Sequence, residues 1–269
     1  MIYVIKEIVR DHIQNKAQII RLAKADLFKT YRGAALGWAW AVIKPCVTIA
    51  AYWFAFSVGL RKGSEVAGYP FILWLIAGII PWFYMSEMLT QGTDSLRRYS
   101  YLVTKMKFPI STIPTFVSLS KMFINSIMIL IVIIIFWISG FPPTIYYLQI
   151  PFYLLLDLIF FTLWAQFSSL LAAVSKDFAN LVKSFVTAIF WFSGVLWDAK
   201  SIKISWLKKL LYLNPITFLI NGFRDSFINK VWFFDQLNLL KYFSIITLFM
   251  FVLVIVSYKK LRRDIPDVL

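Results

Sequence analysis

Long apolar stretches constrain this chain more than any other feature of its sequence. A helix needs about 20 residues to cross a hydrocarbon core about 30 Å thick. Because lipid offers the backbone no hydrogen-bond partner, long apolar segments of this kind must be helical. We therefore predict an all-α polytopic membrane protein with six transmembrane helices per subunit, of which the fifth is the shortest, at about residues 37–60, 69–89, 113–138, 150–174, 181–197 and 237–258.

Composition supports this membrane class and excludes several others. Apolar residues make up 60% of the 269 and charged residues 15%, whereas a soluble domain is about 45–50% apolar and about 25% charged. The net charge of +15 fits positive-inside loops and anionic lipid headgroups, and we expect no nucleic-acid partner. One cysteine and one histidine leave almost no material for a metal site, a disulfide framework or histidine-based catalysis.

The first 32 residues have no long apolar run and hold seven basic residues. Ile5, Ile8 and Ile13 recur there at helical spacing, which is typical of an amphipathic helix in the headgroup plane. A signal peptide would need a continuous apolar stretch. We expect an amphipathic cytoplasmic interface helix with a basic linker at residues 1–32 and a single transmembrane domain at residues 33–269. Simple surface anchoring is the alternative role for the first segment.

Basic residues orient the predicted spans. Four segments together carry 17 Lys and Arg residues, namely 1–32, 90–110, 175–183 and 259–269. The positive-inside rule places these segments, and with them both termini, in the cytoplasm. Residues 198–236 are an exception, since this predicted outer loop carries six basic residues. We expect a multi-pass protein of the cell membrane.

Residues 97–109 form a mixed apolar and basic segment after the second predicted span. The segment ends at Pro109, before which a helix tends to stop. We expect a short cytoplasmic coupling helix whose apolar side chains are buried against another surface. That surface is either a soluble partner protein or the chain's own N-terminal helix.

The predicted outer loop has its own organisation. Asn214-Pro215 joins a favourable N-cap to a proline at the first helical position, and apolar residues follow at helical spacing. The helices on either side would be too short to cross the bilayer. We predict a re-entrant or interfacial helical pair over residues 205–229, with its backbone buried in protein wherever it enters lipid.

A basic cluster is expected at the cytoplasmic mouth, where the N-terminal segment meets the first span. It comprises Lys29, Arg32 and Lys44. Anchoring to anionic lipid and capture of a phosphorylated headgroup are equally compatible with it.

Two carboxylates lie in or near the predicted spans, Glu87 and Asp157. Ionisable residues at such depth are hypotheses for function by default, but an ion-pair or hydrogen-bond role is favoured, because no further acid at matching depth completes a proton relay. The chain also has no Gly-x-x-x-x-Gly-Lys-[Ser/Thr] sequence and no His-Glu-x-x-His or Cys-x-x-Cys motif. P-loop ATP binding is thereby excluded, and the absence of a proton relay argues against proton-coupled secondary transport.

Aromatic residues are abundant, with 11 Trp, 13 Tyr and 26 Phe. They concentrate in the first, second and fifth predicted spans. Packing against lipid accounts for many of them, yet aromatic faces also stack on sugar rings. The candidates for lining a channel are Tyr52, Trp53, Phe56, Phe185, Trp191 and Trp197.

Three sequence segments together resemble a known family. They are Tyr31–Trp38 leading to Lys44-Pro45, Gly78–Trp82, and Leu213–Thr217 with Gly222–Asp225. In this order they are similar to the permease subunits of ATP-binding-cassette exporters for polysaccharides and polyol phosphates. Within that family, general likeness is greatest to the wall teichoic acid translocation permeases.

The resemblance implies a homodimer that works with two copies of a separate ATPase. ATP and Mg²⁺ would be bound by that partner, and this chain would carry no cofactor and catalyse no reaction. The cargo implied is a polymer on undecaprenyl diphosphate, most simply wall teichoic acid, with its diphosphate near the basic cluster. The first and fifth spans would line the channel. The residues expected to contact the ATPase are Arg97, Arg98, Tyr101, Met106 and Lys107.

Other cargoes fit the same architecture. They are O-antigen, a capsular polysaccharide, and a drug or small lipid. An enzyme acting on lipid phosphates is the alternative from a different class, but it would need paired carboxylates or a histidine at one depth.

Overall fold

The protein is described by a computed structural model that covers residues 2–33, 35–60, 65–106, 108–198, 202 and 204–269. Helices dominate the fold. The strand pairing found among these residues is one short antiparallel hairpin of Glu65–Val66 with Tyr69–Pro70. The prediction of an all-α membrane protein is confirmed at this coarse level.

The N-terminal segment forms two helices, whereas the sequence predicts one. Helix α1 spans Ile2–Gln14 and α2 spans Lys16–Tyr31, with a break at Asn15, whose backbone φ and ψ are −103° and 14°. Both helices bury apolar side chains, among them Val4 and Ile19, in a cluster at one end of the bundle. We call this end the N-terminal end. Because α1 and α2 cover it, they are packed elements of the fold.

Five helical stretches are long and apolar enough to cross a membrane: Gly37–Ser57, Phe71–Gly92, Ile110–Ile138, Ile145–Val174 and Phe233–Leu261. The α-helices within them are α3 (Trp40–Trp53), α4 (Phe71–Glu87), α7 (Ile113–Ile138), α8 (Ile150–Val174) and α12 (Leu237–Leu261). They correspond to the first, second, third, fourth and sixth predicted spans.

The fifth predicted span, residues 181–197, is not confirmed. The chain there forms α9, Lys176–Phe192, which has 17 residues and a length of about 25 Å. It ends because Ser193 leaves helical geometry and Gly194 has a φ of +69°, a left-handed conformation that glycine adopts without steric cost. The residues that follow turn into the core, where Val195 and Leu196 are fully buried.

Short helices complete the fold. Helices α5 (Ser95–Arg98) and α6 (Ser100–Thr104) lie between α4 and α7, and α13 (Ile265–Val268) follows α12. After α9, helices α10 (Ser205–Leu213) and α11 (Pro215–Arg224) meet at Asn214, whose side chain accepts a hydrogen bond from the Ile216 amide at 3.0 Å. This contact is the N-cap that the Asn-Pro sequence favours.

Helix α4 is the centre of the bundle. Thirteen of its 17 residues are buried, and it packs against α3, α7 and α11. Helix α3 is the opposite case, since none of its residues is buried in the single chain. Each of these two helices contains an interior proline, Pro45 in α3 and Pro81 in α4. The bundle therefore has a packed central helix and a neighbouring span with its outer side open.

Candidate functional site

A cavity of about 420 Å³ lies between α3, α4 and α7. Its volume falls in the range of small-molecule sites, about 300–1,000 Å³. Lys44 of α3, Glu87 of α4 and Lys121 of α7 are among its lining residues, together with apolar side chains. A cavity that is largely apolar with a few charged groups is the usual form of a binding site.

An ion pair crosses this cavity. The Lys121 ammonium lies 3.6 Å from Oε2 of Glu87, and the two side chains are 1% and 36% exposed. A buried ammonium needs an opposite charge, because removal from water is otherwise too costly. Glu87 was predicted from the sequence, whereas Lys121 was not. Lys121 could have been found from the sequence, because it is the single lysine within the apolar stretch 113–138. A charged residue inside a membrane span is costly and is a candidate for function by default.

The ion pair continues as a polar chain toward the N-terminal end. Nε2 of Gln91 donates to the Glu87 carboxylate at 3.4 Å, and the Arg98 guanidinium donates to Oε1 of Gln91 at 2.9 Å. Arg98 is exposed. These contacts connect the buried ammonium of Lys121 in the cavity with the solvent-exposed guanidinium of Arg98.

The predicted basic cluster divides between two environments. Lys44 is exposed and lines the cavity. The Lys29 ammonium instead lies 5.3 Å from the centre of the Tyr99 ring, and Arg32 is exposed beyond the end of α2. Of the three predicted residues, Lys44 is the one that the structure places at the cavity.

Helix α2 is fastened to the short helices after α4 by a buried polar contact. The Tyr99 hydroxyl donates to the Asp26 carboxylate, and both side chains are buried. Burial raises the pKa of the Tyr99 phenol, and the hydrogen bond to Asp26 raises it further. Tyr99 therefore stays protonated as the donor, and the contact holds α2 against this segment.

Residues 97–109 have an inner and an outer side. On the inner side, the Arg97 guanidinium donates to the carbonyl oxygens of Ala172 and Ala173, at 2.8 Å for the latter, at the end of α8. Leu102 and Val103 are buried against the N-terminal helices. Arg97 thus satisfies carbonyls that a helix end leaves free.

The outer side of this segment is apolar and basic. Tyr101 is 43% exposed and Met106 is 67% exposed, and Arg98 lies beside them in the chain. We call these three residues the coupling face. Lys107, the remaining predicted contact, lies outside the described residues. The inner side of the segment therefore packs on the chain's own N-terminal helices, as one of the two predicted alternatives has it. The outer side faces away from the bundle and is the side that a soluble partner protein could contact.

The predicted channel aromatics fall into three groups. Tyr52 and Phe56 contact other rings, Phe190 at 5.4 Å and Phe71 at 6.0 Å between centroids. The Trp197 indole donates to the backbone carbonyl of Trp191 at 2.7 Å. The remaining rings, on α3 and α9, have large exposed fractions in the single chain, namely Trp53, Phe185 and Trp191.

A buried arginine organises the opposite end of the bundle. Arg224, 2% exposed, donates to the carbonyls of Gly194 and Val195 at 2.7 and 2.5 Å. Its guanidinium carbon lies 3.5 Å from the centre of the Trp74 ring. A Cβ on Gly78 would lie 2.5 Å from Nη2 of Arg224. Two of the motifs behind the resemblance therefore meet each other, because Gly78 makes the room that Arg224 occupies.

Residues 17–228 match the family model of the ABC-2 type transporter. The chain belongs to the ABC-2 type transporter family. The match covers most of the chain, from α2 to just beyond the end of α11. Its members are transport permeases, so the prediction of a permease that is not an enzyme is confirmed at family level.

This ABC-2 chain has similar curated relatives. The O-antigen export system permease protein RfbA of Myxococcus xanthus is 25% identical over 223 residues, covering 82% of this chain and 84% of the relative. Two permeases of the same description from Klebsiella pneumoniae are 24% identical and cover 85% and 93% of this chain, and 86% and 94% of themselves. These relatives favour the O-antigen alternative over the wall teichoic acid prediction.

The second predicted carboxylate of the ABC-2 chain differs from Glu87. Asp157 is fully buried in α8, and neither of its oxygens has a hydrogen-bond partner among the described residues. An ion-pair or hydrogen-bond role was predicted for Asp157, and the described part of the structure shows no such partner. A buried polar group without a partner costs about 1–3 kcal/mol.

We expect Asp157→Leu to raise the thermal unfolding midpoint of the detergent-solubilised protein. The substitution removes an unsatisfied polar group and keeps the number and branching of the side-chain heavy atoms, so a gain of about 2–4 °C per kcal/mol is expected. Fluorescence-detected size-exclusion chromatography after heating measures it, with Leu156→Val as a control of local packing. A lower midpoint for Asp157→Leu would show that the carboxyl group has a stabilising partner.

Proposed function

We propose that this chain is the membrane permease of an ATP-driven polysaccharide exporter, with an O-antigen-type polysaccharide as its cargo. The observation that carries the proposal is the family match over residues 17–228. The three relatives described above support the cargo, since each is named as an O-antigen export permease. Wall teichoic acid is the second candidate for the cargo, because only general sequence likeness favours it.

The ATPase in this proposal is a separate subunit, present in two copies beside a permease dimer. The chain has no P-loop of its own, so ATP and Mg²⁺ would be bound by the partner. The coupling face, Arg98, Tyr101 and Met106, offers that partner exposed apolar and cationic groups on helices that are anchored from behind. A displacement of the coupling face would be transmitted to α2 by the hydrogen bond of Tyr99 and to α8 by the hydrogen bond of Arg97.

The transport path in this proposal is lined by α3 and α9 of two copies. Both helices leave large aromatic side chains exposed in the single chain, including Trp53, Phe185 and Trp191. Aromatic faces stack on sugar rings without fixing any one position. Such a surface suits a polymer that must keep moving.

Reconstitution tests the function directly. The full chain and its ATPase are placed in proteoliposomes, and ATP hydrolysis is measured with a lipid-linked O-antigen-type polysaccharide, a lipid-linked polyol phosphate, and the lipid carrier alone. We expect the polysaccharide to stimulate hydrolysis more than the other two. Stimulation by polyol phosphate in its place would restore the teichoic acid cargo. Equal rates in all three would overturn polymer export.

A further inference from the structure

The Lys121 ammonium has more hydrogen-bonding capacity than its surroundings use. An ammonium carries three donors, and its described ionic partner, Glu87, is 3.6 Å away. That separation exceeds the usual 2.7–3.2 Å of an N–H···O bond. The side chain is nevertheless 1% exposed, so water of the bulk solvent does not compensate. A buried cation with spare donors at a cavity is suited to an additional anion.

Two further groups of the cavity suit the same anion. Asn125 lies one turn beyond Lys121 on the same face of α7 and is 4% exposed. Its described amide contact is the Met122 sulfur at 4.0 Å, a weak acceptor. Lys44 approaches from α3 on the other side of the cavity. Two ammonium groups and an amide therefore share a cavity that contains one carboxylate, Glu87.

The cavity is polar at one end and apolar at the other. Glu87 and Gln91 lie toward the N-terminal end of the bundle, at the end of α4. Ile80, Ile124 and Met128 line it nearer the middle of α4 and α7. This order matches an amphiphile whose headgroup stays near the membrane surface and whose chain points to the bilayer centre.

We propose that this cavity binds the phosphate or diphosphate headgroup of a lipid, and that Lys121 exchanges Glu87 for the phosphate. Phosphate oxygens accept strong charge-assisted hydrogen bonds from ammonium groups, and the separation of Lys121 from Glu87 leaves the exchange open. Glu87 keeps its contact with Gln91 when Lys121 turns away. The proposal rests on the proposed function only in assigning the lipid as the carrier of the exported polymer.

Binding to the full chain in nanodiscs of zwitterionic lipid tests the site. The probes are farnesyl diphosphate, inorganic diphosphate and farnesol, and the readout is the half-saturating concentration. We expect Lys121→Met to raise that concentration for farnesyl diphosphate by about tenfold or more. Glu87→Gln is expected to lower it, because the competing carboxylate charge is removed. Tighter binding of farnesyl diphosphate than of inorganic diphosphate identifies a lipid headgroup, and equal binding identifies a free anion.

Two controls separate binding from stability. Lys241→Met removes the same charge from an exposed position near the opposite end of the bundle and is expected to bind like the original chain. The double variant Glu87→Gln with Lys121→Met removes the ion pair without leaving an unpaired charge, and it is expected to bind as weakly as Lys121→Met. Binding by the double variant at the original concentration would overturn the site.

The binding measurement tests the headgroup site independently of the proposed function. Complementation of a strain that lacks the transporter reports polysaccharide export separately. Export together with unaltered diphosphate binding by Lys121→Met overturns the headgroup site alone. Tight binding that depends on Lys121, with no export of polysaccharide, overturns the proposed function and leaves the site.

Discussion

Arg224→Ala is expected to destabilise the folded protein strongly. Two charge-assisted hydrogen bonds, to the carbonyls of Gly194 and Val195, and the stacking contact with Trp74 would be lost together. Each such hydrogen bond contributes about 1.5–3 kcal/mol, so the loss of the two bonds together is about 3–6 kcal/mol. Whole domains have a free energy of unfolding of about 5–15 kcal/mol, so this one substitution would remove a large fraction of it.

The same prediction has two companion variants. Arg224→Lys keeps the charge but lacks the planar fork that reaches two carbonyls and stacks on an indole, so it is expected to fail nearly as badly. Gly78→Ala puts a methyl group 2.5 Å from Nη2 of Arg224 and is expected to displace the guanidinium. Both act on one contact, so their effects should not add to that of Arg224→Ala.

Thermal unfolding in detergent measures the Arg224 prediction. The midpoint of Arg224→Ala is expected to fall by about 6 °C or more, taking about 2 °C per kcal/mol. Arg263→Ala is the matched control, because Arg263 is exposed near the end of the chain. An Arg224→Ala protein with an unchanged midpoint would show that the turn after α9 is held by other contacts.

Tyr101→Asp combined with Met106→Asp is expected to stop export while leaving the fold intact. Both side chains are exposed, and the internal ring contact that is lost is that of Tyr101 with Tyr99, at 6.2 Å between centroids. In contact with a partner, each new carboxylate would be desolvated at a cost above the roughly 1–3 kcal/mol of a neutral polar group, which lowers coupling by about tenfold or more per residue. The measurement is export per hydrolysed ATP in proteoliposomes that contain the complete transporter.

The choice of controls decides how this second result is interpreted. Val268→Asp adds a charge at an exposed position of α13, also at the N-terminal end of the bundle, and is expected to export normally. Arg97→Ala is not an equivalent test, because Arg97 caps α8 from within and its loss changes stability. Normal export by the double aspartate variant would place the ATPase contact elsewhere.

Local hydropathy was sufficient to predict five of the long helices, since each is a continuous apolar stretch. The fifth predicted span was not predictable from local hydropathy. Its apolar run continues through Val195 and Leu196, but those residues are buried in the core after a turn at Gly194. That turn depends on Arg224, about 30 residues later in the chain, and no local pattern contains it.

The candidate site was predictable only in part and not as pairs. Glu87 was predicted because carboxylates near spans are rare, and Lys44 was predicted as part of the basic cluster at the cytoplasmic mouth. The partner of Glu87 is on another helix, and only the packing of α4 against α7 brings Lys121 to it. Arg97 was assigned to a partner protein for a similar reason, because its acceptors lie on α8, 75 residues away in the chain. Pairing of distant residues is a property of the packed bundle.

The interior prolines of α3 and α4 have a mechanical consequence. Each proline removes one backbone hydrogen bond from its helix and weakens it against bending at that level. Pro45 lines the cavity, and Ile80, next to Pro81, lines it from the other helix. Two adjacent walls of the cavity therefore each contain a weakened helical turn, and the cavity can widen or narrow by bending there without breaking further backbone bonds.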